Sequence, residues 1–369
     1  MGLEAAHEGY EYQDLLTAHF ILIETLNERD SIFKIDRKEF KGDKIDDLTI
    51  NNSLGSFKKQ IKYSSDLSNH RLEKKDLSTD GSYHLGIDTL FNTWNQHPAK
   101  ESLQVSLCLS WLIPNDELYE LLVKDKESSD IGITFTLNGE KLWPKDHPPL
   151  NSWKRFREQS KGIKRADFLE FCKSFSIGLE YPKFSMNLNE PGSLERIVLD
   201  QTKSLGIGVY PNDGISNVEF TYSLLQLIKR TRSGAGTITS KDILSQLKIR
   251  TDYGSIEQEF PIILSENIRL SKSIERFIQD IANINLIALV GEPGSGKSWF
   301  IENLKDQISK RGSKVVRHFC YTDLQDTLQK ERITLNALYG NLNKYILDEF
   351  PDLSEFKAQK YASNLSELD

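Results

Sequence analysis

The sequence predicts a multidomain protein of the α/β and α+β classes, and three observations predict it. First, the chain has 369 residues, which at about 150 residues per domain gives roughly 2.5 domains. Second, helical and strand-like periodicities follow one another in the order αβββαβ over residues 1–115. Third, a glycine-rich loop near residue 291 separates a strand-like run from a helical run. We therefore expect a mixed core at 1–115, a mostly helical extension and linker at 116–265, and a further unit at 266–369.

The αβββαβ order rests on hydrophobic periodicity. A segment with apolar residues at spacings of three and four precedes three strand-like segments, a second helix and a cleanly alternating strand. These six predicted elements lie at 4–28, 32–40, 45–50, 57–63, 83–95 and 102–112. The turn-forming residues 51–56 separate the second and third strands, which predicts a β-hairpin.

Composition excludes several classes of protein. Hydrophobic residues make up 38% and charged residues 27% of the chain, which is typical of a globular protein rather than a disordered one. No apolar run reaches the roughly 18 residues that a membrane helix needs. Cys108, Cys172 and Cys320 lack metal-ligand spacing, so neither a zinc site nor a disulfide framework is indicated. We expect a cytoplasmic protein with no membrane partner.

One face of the predicted hairpin carries polar residues suited to metal-dependent chemistry. Gln60 and Lys62 lie on the same face of their strand because side chains alternate. The partner strand of the hairpin can bring Asp47 beside them. In such a group Asp47 and Gln60 would be oxygen ligands of Mg²⁺, and Lys62 would position water or stabilise charge at an attacked phosphate. Glu39, in the preceding strand, could supply a further carboxylate to the catalytic group.

The same residues also allow a simpler interpretation, a solvated hairpin face with ordinary surface lysines. By composition alone, an Asp followed at hairpin distance by Glu/Gln-x-Lys occurs about once in a chain of this size. The net charge of -7 means that any nucleic acid must be bound by a local basic surface. Basic residues around the hairpin that could contact a DNA backbone are Lys34, Arg37, Lys38, Lys41, Lys44, Lys58, Lys59, Lys74 and Lys75.

A phosphate-binding loop is the most specific motif in the sequence. Residues 291–298 read GEPGSGKS, which satisfies GxxxxGK[ST], between a strand-like run at 286–290 and a helical run at 299–310. Backbone N–H groups of such a loop and of the helix that follows converge on phosphate oxygens. Lys297 would contact the β- and γ-phosphates of ATP, and Ser298 would hold Mg²⁺. The predicted nucleotide-binding residues are Gly291, Pro293, Gly294, Ser295, Gly296, Lys297 and Ser298.

An ATPase of this class also needs a carboxylate at the end of a second strand. The candidates Asp348 and Glu349 follow apolar residues at helical spacing, which favours a helix end over a strand end. A second short strand is predicted at 314–318. The stretch after Ser298 is shorter than the remaining sheet and helical lid of a P-loop NTPase require, so we expect only the N-terminal part of that domain. Hydrolysis of ATP, as opposed to binding, stays open.

Together these motifs resemble the N-terminal part of an antiviral STAND NTPase (AVAST) that carries a PD-(D/E)xK nuclease domain of the type also found as an effector in CBASS bacterial defence systems. In the N-terminal part of the chain, the resemblance rests on Gly9-Tyr10-Glu11-Tyr12-Gln13, Asp46-Asp47-Leu48 and Gln60-Ile61-Lys62-Tyr63-Ser64, with Gln60 in place of the usual acid. The back rests on the phosphate-binding loop, Val316-Arg317-His318-Phe319-Cys320-Tyr321, Glu331-Arg332-Ile333 and Asn341-Leu342.

The resemblance implies a Mg²⁺-dependent double-stranded DNA endonuclease coupled to an ATP-binding oligomerisation module in anti-phage defence. It also implies a homo-oligomer, a tetramer by analogy with the family, and a phage protein as trigger, recognised by a C-terminal sensor that we expect outside this sequence. The alternative is a non-catalytic, ATP-dependent oligomerisation scaffold whose degenerate nuclease fold only binds DNA. A motor that translocates on DNA is disfavoured because no helicase motif is found.

Overall fold

The structure, a computed structural model, describes residues 3–64, 66, 70–77, 85–128, 130–143, 164–185, 187, 190–234, 236–253, 268–281, 286–320, 328–356 and 359–362. The chain forms two compact units. The first comprises Met1–Gly208 and Asn212–Ile249, and the second comprises Val209–Pro211 and Arg250–Asp369. The predicted boundary at residue 265 lies outside the described residues. Across the described ranges, every helix is too short or too polar to cross a bilayer.

A mixed eight-stranded sheet organises the first unit, which confirms the predicted mixed α/β class. Its strands are β1 (Ile32–Ile35), β2 (Leu48–Asn52), β3 (Gly55–Lys62), β4 (Leu103–Leu109), β5 (Leu122–Lys124), β6 (Ile133–Leu137), β7 (Phe175–Leu179) and β8 (Thr237–Thr239). The spatial order is β5-β6-β7-β4-β3-β2-β1-β8. β4 runs parallel to both of its neighbours, β3 and β7, and all other neighbouring strands are antiparallel.

The described helices of the first unit surround this sheet. They are α1 (Leu3–Leu26), α2 (Ile87–Gln96), α3 (Gly139–Leu142), α4 (Arg165–Ser174), α5 (Leu194–Leu205), α6 (Asn217–Ser233) and α7 (Ser240–Gln246), with 3₁₀ turns at Lys100–Ser102 and Glu117–Leu121. From α1 to β4, the helices and strands follow one another in the predicted αβββαβ order. Hydrophobic periodicity also predicts helices at 166–175, 193–205 and 218–230, and the ends of α4, α5 and α6 lie within three residues of these bounds.

Both faces of the sheet are covered, and β3 shows which residues go to which side. Side chains alternate along a strand. On one face Tyr63, just beyond β3, stacks on Tyr12 of α1 with ring centroids 4.6 Å apart. On the other face lie Lys58, Gln60 and Lys62. The hairpin face that the sequence singles out is therefore the one opposite to α1.

The main apolar core lies on that second face, between the sheet and helices α2 and α4. Alternate residues of β4 and β7 pack there against the apolar stripes of the two helices, and burial of this surface from water stabilises the unit. The buried residues include Leu103, Val105, Leu107, Leu109, Phe175, Ile177, Leu179, Ile87, Leu90, Phe91, Trp94, Phe168 and Phe171. In the parallel register Gln60 pairs with Leu107 and Lys62 with Leu109. The polar residues of β3 thus lie at the margin of this core.

The β2–β3 hairpin has a turn of two residues, Ser53 and Leu54, because Asn52 pairs with Gly55. Gly55 adopts φ +142°, a conformation that glycine tolerates and other residues rarely adopt. A Cβ atom at this position would also lie 2.8 Å from the carbonyl oxygen of Ser102. The glycine therefore allows the turn to pack closely against the segment that precedes β4.

The described part of residues 116–265 is mostly helical, as predicted, but it also contributes the strands β5, β6, β7 and β8, which were not predicted, to the sheet. These strands are only three to five residues long. Such short segments carry too few alternations to be recognised from hydrophobic pattern alone. The first unit consequently continues to Ile249, so the described residues from 116 to 208 and from 212 to 249 belong to the same unit as the predicted core.

The second unit is helical in its described residues, with α8 (Ile268–Ile281), α9 (Lys297–Lys310), α10 (Gln329–Arg332), α11 (Leu335–Glu349) and a 3₁₀ turn at Pro351–Phe356. The strands predicted at 286–290 and 314–318 are not formed. Leu286 and Val290 are 87% and 89% exposed, whereas a central parallel strand is buried on both faces. A strand needs a hydrogen-bonded neighbour, and the described part of this unit supplies none.

Candidate metal and phosphate-binding sites

The register of the β2–β3 hairpin brings Asp47 beside Gln60. Leu48 pairs with Lys59 in the antiparallel ladder. Asp47, the residue before Leu48, therefore lies opposite Gln60, the residue after Lys59. The Gln60 side chain donates from Nε2 to Asp47 Oδ2 at 2.6 Å. The backbone N–H of Ile61 donates to the same oxygen at 2.7 Å. The structure therefore brings together the two residues that the sequence predicts as metal ligands.

Lys62 joins this pair from the end of β3. Its Nζ lies 4.0 Å from Asp47 Oδ2, and its side chain is 32% exposed. Asp47 and Gln60, by contrast, are buried. The group consequently has a buried carboxylate and amide on its inner side and a solvent-accessible ammonium on its outer side.

The environment of Asp47 disfavours its charge. Burial raises the pKa of Asp47 to about 6, against the lowering effects of the Lys62 ammonium and of the Ile61 N–H. The carboxylate is therefore mostly ionised only above that pH. A cation placed against Asp47 would favour the ionised form and remove the cost of burying it.

The orientation of the Gln60 amide fits a metal ligand. Because Nε2 must face the Asp47 carboxylate to donate to it, Oε1 faces the other way. This buried oxygen has no hydrogen-bond partner among the described residues, which is unfavourable for a buried acceptor. Mg²⁺ binds carboxylate and amide oxygens and keeps several waters. Asp47 and Gln60 therefore fit as two ligands of Mg²⁺.

The remaining ligands of such an ion would have to be water or phosphate oxygens. No group of three or more His, Cys, Asp or Glu side chains suited to a metal occurs in the described ranges. A site with one carboxylate and one amide is weakly charged. Its other coordination positions would be filled by water in the free protein and in part by phosphate oxygens when a nucleic acid is bound.

Glu39, predicted as a further catalytic carboxylate, lies in a separate cluster. Its oxygens are 2.5 Å from Lys34 Nζ, 3.1 Å from Lys58 Nζ and 2.9 Å from His97 Nε2. Burial raises the pKa of Glu39, but these three partners outweigh it and lower the pKa to about 2. Since none of its described contacts involves Asp47, a direct role for Glu39 in catalysis stays a prediction.

Lys58 differs from its prediction as a DNA-contacting surface residue, because it is 0% exposed. Its Nζ forms an ion pair with Asp43 and donates to the carbonyl oxygen of Ile45 at 3.2 Å. The signal was present in the sequence, since Lys58 precedes Gln60 by two residues and therefore lies on the same face of β3. Lysine is so often exposed that alternation alone does not overcome the expectation of a surface position.

A cavity of about 360 Å³ lies at the carboxyl ends of β4 and β7. Ser110, Glu180 and Lys183 are among its lining residues. The backbone N–H of Ser110 donates to the Lys62 carbonyl oxygen at 3.2 Å, so the cavity adjoins the end of β3. The carboxyl ends of parallel strands commonly form ligand sites in open α/β sheets. The residues that line this cavity do not include Asp47, Gln60 or Lys62, so the cavity is separate from the candidate metal site.

The phosphate-binding loop adopts a turn that depends on glycine. Gly294 and Gly296 have φ values of +76° and +85°. Gly296 immediately precedes α9, and no side chain caps the N-terminus of this described helix. Its first N–H groups are therefore available to an anion. The predicted residues Pro293, Ser295 and Ser298 lie exposed in the same loop and first helical turn.

Lys297 folds back across this loop. Its Nζ donates to the carbonyl oxygens of Gly291 at 2.7 Å and Glu292 at 2.8 Å. The ammonium is thus held by two neutral carbonyl oxygens. It would have to exchange these acceptors for phosphate oxygens if a nucleotide were bound. All seven predicted nucleotide-binding residues belong to this one exposed turn and helix start, although the strand expected before it is not formed.

The carboxylate candidates for ATP hydrolysis lie at a helix end. Asp348 and Glu349 are the last two residues of α11, as helical spacing predicts, and Glu349 forms an ion pair with Lys314. Neither residue follows a strand. Hydrolysis of ATP consequently has no assigned carboxylate among the described residues of this unit.

The motifs in the second unit contact one another although they are far apart in sequence. His318 lies with Nε2 2.7 Å from the Arg332 carbonyl oxygen and Nδ1 3.1 Å from Asn341 Nδ2. Glu331 accepts from Tyr210 and Arg250, each at 2.6 Å. Tyr321 lies outside the described residues. These contacts do not assign a function. No protein-family model and no curated protein sequence matches the chain.

Proposed function

We propose that the first unit is a Mg²⁺-dependent DNA endonuclease with a core of the PD-(D/E)xK type. The observation that supports this most is the convergence of Asp47, Gln60 and Lys62. Gln60 Nε2 lies 2.6 Å and Lys62 Nζ lies 4.0 Å from Oδ2 of Asp47. A carboxylate, an amide oxygen without a partner and an accessible ammonium together provide ligands for a hard cation and a positive charge for a phosphate.

Each residue has a distinct role in this proposal. Asp47 and Gln60 bind the ion from the buried side of the site. Mg²⁺, when bound, supplies a Lewis acid for the phosphoryl oxygen and lowers the pKa of a coordinated water. The Lys62 ammonium orients the attacking water and stabilises the negative charge that develops on the phosphate. Because Asp47 titrates near pH 6, we expect the metal site to be competent above that pH.

We further propose that the second unit binds ATP through the loop at 291–298. Support comes from two left-handed glycines, an uncapped helix N-terminus and a lysine held by neutral carbonyls. On nucleotide binding, Lys297 would exchange these carbonyls for the β- and γ-phosphates, and Ser298 would hold Mg²⁺.

The biological setting is proposed from the motif resemblance to antiviral STAND NTPases. ATP binding would favour assembly of a homo-oligomer, and assembly would raise the local concentration of nuclease units on double-stranded DNA. A phage protein would act as the trigger. The fusion of a metal site and a nucleotide site in one chain motivates this coupling.

A cleavage assay tests the nuclease proposal. The chain is incubated with plasmid DNA, Mg²⁺ and ATP, with and without phage lysate, as wild type and as Lys62→Ala. We expect Lys62→Ala to reduce cleavage about 10²- to 10⁴-fold, the range typical of a residue that acts on the transition state. The matched control is Lys124→Ala, an exposed lysine at the far edge of the same sheet on β5. Cleavage that persists unchanged in Lys62→Ala would make the catalytic assignment wrong.

The second candidate is a non-catalytic scaffold that binds DNA and assembles with ATP. One observation favours it: Asp47 already accepts hydrogen bonds from Gln60 and Ile61, so the pair is partly satisfied without a metal. The described residues also lack a cluster of three or more His, Cys, Asp or Glu ligands. DNA binding and ATP-dependent assembly without Mg²⁺-dependent cleavage, under every condition of the assay, would favour the scaffold.

A further inference from the structure

We propose that Lys58 is a positioning residue, whose buried ammonium fixes the loop that carries Asp47 against β3. The inference rests on the proposed function, because it concerns the same metal site. Lys58 and Gln60 are two residues apart on one face of β3, so a single strand holds both this anchor and a metal ligand.

The contacts of Lys58 all lead to one loop. Its Nζ forms an ion pair with Asp43, lies 3.1 Å from Glu39 Oε2 and donates to the Ile45 carbonyl oxygen at 3.2 Å. These three acceptors belong to residues 36–47, which connect β1 to the start of β2. Three acceptors match the three N–H donors of an ammonium, so the buried charge is fully compensated.

Asp43 shapes the same loop from within. Its Oδ2 accepts the backbone N–H of Glu39 at 3.0 Å, and its Oδ1 accepts the backbone N–H of Ile45 at 3.1 Å. The side chain of Asp43 is fully buried, as is that of Ile45. Because only one residue separates Ile45 from Asp47, the Lys58 contacts restrict where the metal ligand can lie.

The far ends of the cluster are also anchored. Glu39 contacts Lys34 on β1 and His97 immediately after α2. The backbone N–H of Asp36 donates to the Asp47 carbonyl oxygen at 2.9 Å. The loop is thus attached to two strands and one helix end, and Lys58 is the cation at its centre.

A direct catalytic role for Lys58 does not fit this geometry. Its side chain is fully buried and its donors face carboxylate and carbonyl oxygens, so no substrate atom can reach it. Lys62, two residues beyond Gln60, keeps the exposure that contact with a phosphate requires. The two lysines of one strand face therefore have different tasks, one in positioning a ligand and one in contacting substrate.

The effect of removing Lys58 follows from these contacts. Without the ammonium, the Asp43 and Glu39 carboxylates face each other across a buried space and the loop loses its common partner. Asp47 would then no longer be held opposite Gln60. Residues that orient metal ligands in this way typically affect metal affinity about 10- to 100-fold when changed. The expected defect is thus in Mg²⁺ binding rather than in the chemical step.

Mg²⁺ titrations of four proteins test the inference. Wild type is compared with Lys58→Met, with the charge-neutral pair Lys58→Met plus Asp43→Asn, and with Lys59→Met, a neighbouring lysine on the opposite strand face over Phe20. The pair is included because Lys58→Met alone leaves a buried carboxylate and can fail to fold. Two quantities are measured: the Kd for Mg²⁺ by calorimetry without nucleotide, and the Mg²⁺ concentration that gives half-maximal DNA cleavage.

We expect the folded Lys58 variants to need about 10- to 100-fold more Mg²⁺ in both measurements, with the cleavage rate at saturating Mg²⁺ within about threefold of wild type. Lys59→Met should keep the wild-type Mg²⁺ affinity. A merely structural role would instead lower the active fraction at every Mg²⁺ concentration and leave half-saturation unchanged. That result in the folded pair would overturn the inference.

The Asp47→Asn variant separates failure of this inference from failure of the proposed function. If Asp47→Asn abolishes Mg²⁺ binding while the folded Lys58 pair binds like wild type, the site is real and Lys58 does not position it. If Asp47→Asn binds Mg²⁺ like wild type, the proposed metal site itself is wrong, and the role of Lys58 is wrong with it.

Discussion

Asp47 receives the Gln60 and Ile61 hydrogen bonds on one oxygen, Oδ2, which leaves its other oxygen as the natural contact for a cation. This asymmetry is related to the hairpin register, which places Asp47 opposite Gln60 and next to Ile61 of the facing strand. The geometry of the candidate metal site therefore depends on backbone pairing as much as on side-chain identity.

Residue patterns predicted part of this site and missed part. Period-two alternation placed Gln60 and Lys62 on one face, and hairpin spacing placed Asp47 beside them. The hydrogen bond from the Ile61 backbone N–H carries no side-chain signal and was not predictable. The burial of Lys58 was missed because its partners Asp43 and Glu39 come from a loop whose path the sequence does not reveal.

The raised pKa of Asp47 predicts how stability depends on pH. Between the unfolded pKa of about 3.9 and the folded pKa of about 6, the folded state holds a proton that the unfolded state has lost. Stability without metal should therefore fall as pH rises through this window, by about 2 kcal/mol in wild type relative to Asp47→Asn, which cannot ionise. Urea unfolding of both proteins in EDTA at pH 4 and pH 7.5 measures the difference.

The pH dependence of all other groups is common to wild type and Asp47→Asn, so it cancels in the comparison. Addition of Mg²⁺ at pH 7.5 should stabilise wild type and leave Asp47→Asn unchanged, because only the carboxylate binds the ion strongly. If the unfolding free energies of wild type and Asp47→Asn in EDTA change equally with pH, Asp47 is not protonated in the native state near pH 6.

The length of a helix or strand decided whether its position could be predicted from the sequence. The 24-residue helix α1 and the eight-residue strand β3 carry several repeats of their periodicity and were predicted within a few residues. The short strands β5 and β8 each have three residues, and they form because a neighbouring strand supplies hydrogen bonds. Pairing of this kind depends on tertiary structure, which local pattern does not contain.

The phosphate-binding loop matches its sequence prediction in the turn and in the helix that follows, but not in the strand that was predicted before it. The turn and the helix α9 are formed, as GxxxxGK[ST] predicts, yet the preceding run 286–290 has no regular secondary structure and is mostly exposed. Backbone angles of the turn depend on local glycines, whereas a strand depends on neighbours. The local part of the motif was therefore predictable and the sheet context was not.

Lys297→Ala tests whether this element binds nucleotide. Removing a charged donor to phosphate should weaken ATP binding about 10- to 100-fold, because such a contact contributes about 1.5 to 3 kcal/mol. The matched control is Lys310→Ala at the other end of α9, where the lysine pairs with Asp306 at 2.6 Å. Calorimetry with ATP and Mg²⁺ gives both affinities. Equal ATP affinity in the two variants would argue against a nucleotide site at the loop.

At the scale of the whole molecule, the chain has one unit with a complete sheet and core and a second that is helical in its described residues. Sequence length predicted roughly 2.5 domains. The segment after residue 115, predicted as a mostly helical extension, adds strands to the first sheet that its pattern did not reveal. The first unit alone contains every residue of the candidate metal site. Its chemistry can therefore be tested in the whole chain without nucleotide.

If Asp47 and Gln60 form a Mg²⁺ site, calorimetric titration of the nucleotide-free chain with Mg²⁺ at pH 8 should detect it. Nucleotide is omitted so that Ser298 has no phosphate with which to share an ion. We expect binding by wild type, at least tenfold weaker binding by Asp47→Asn, and wild-type affinity in Asp46→Asn. Asp46 is the neighbouring carboxylate, and its side chain lies 4.0 Å from Lys38. Absence of binding in wild type, or equal affinity in wild type and Asp47→Asn, would contradict the proposed Mg²⁺ site.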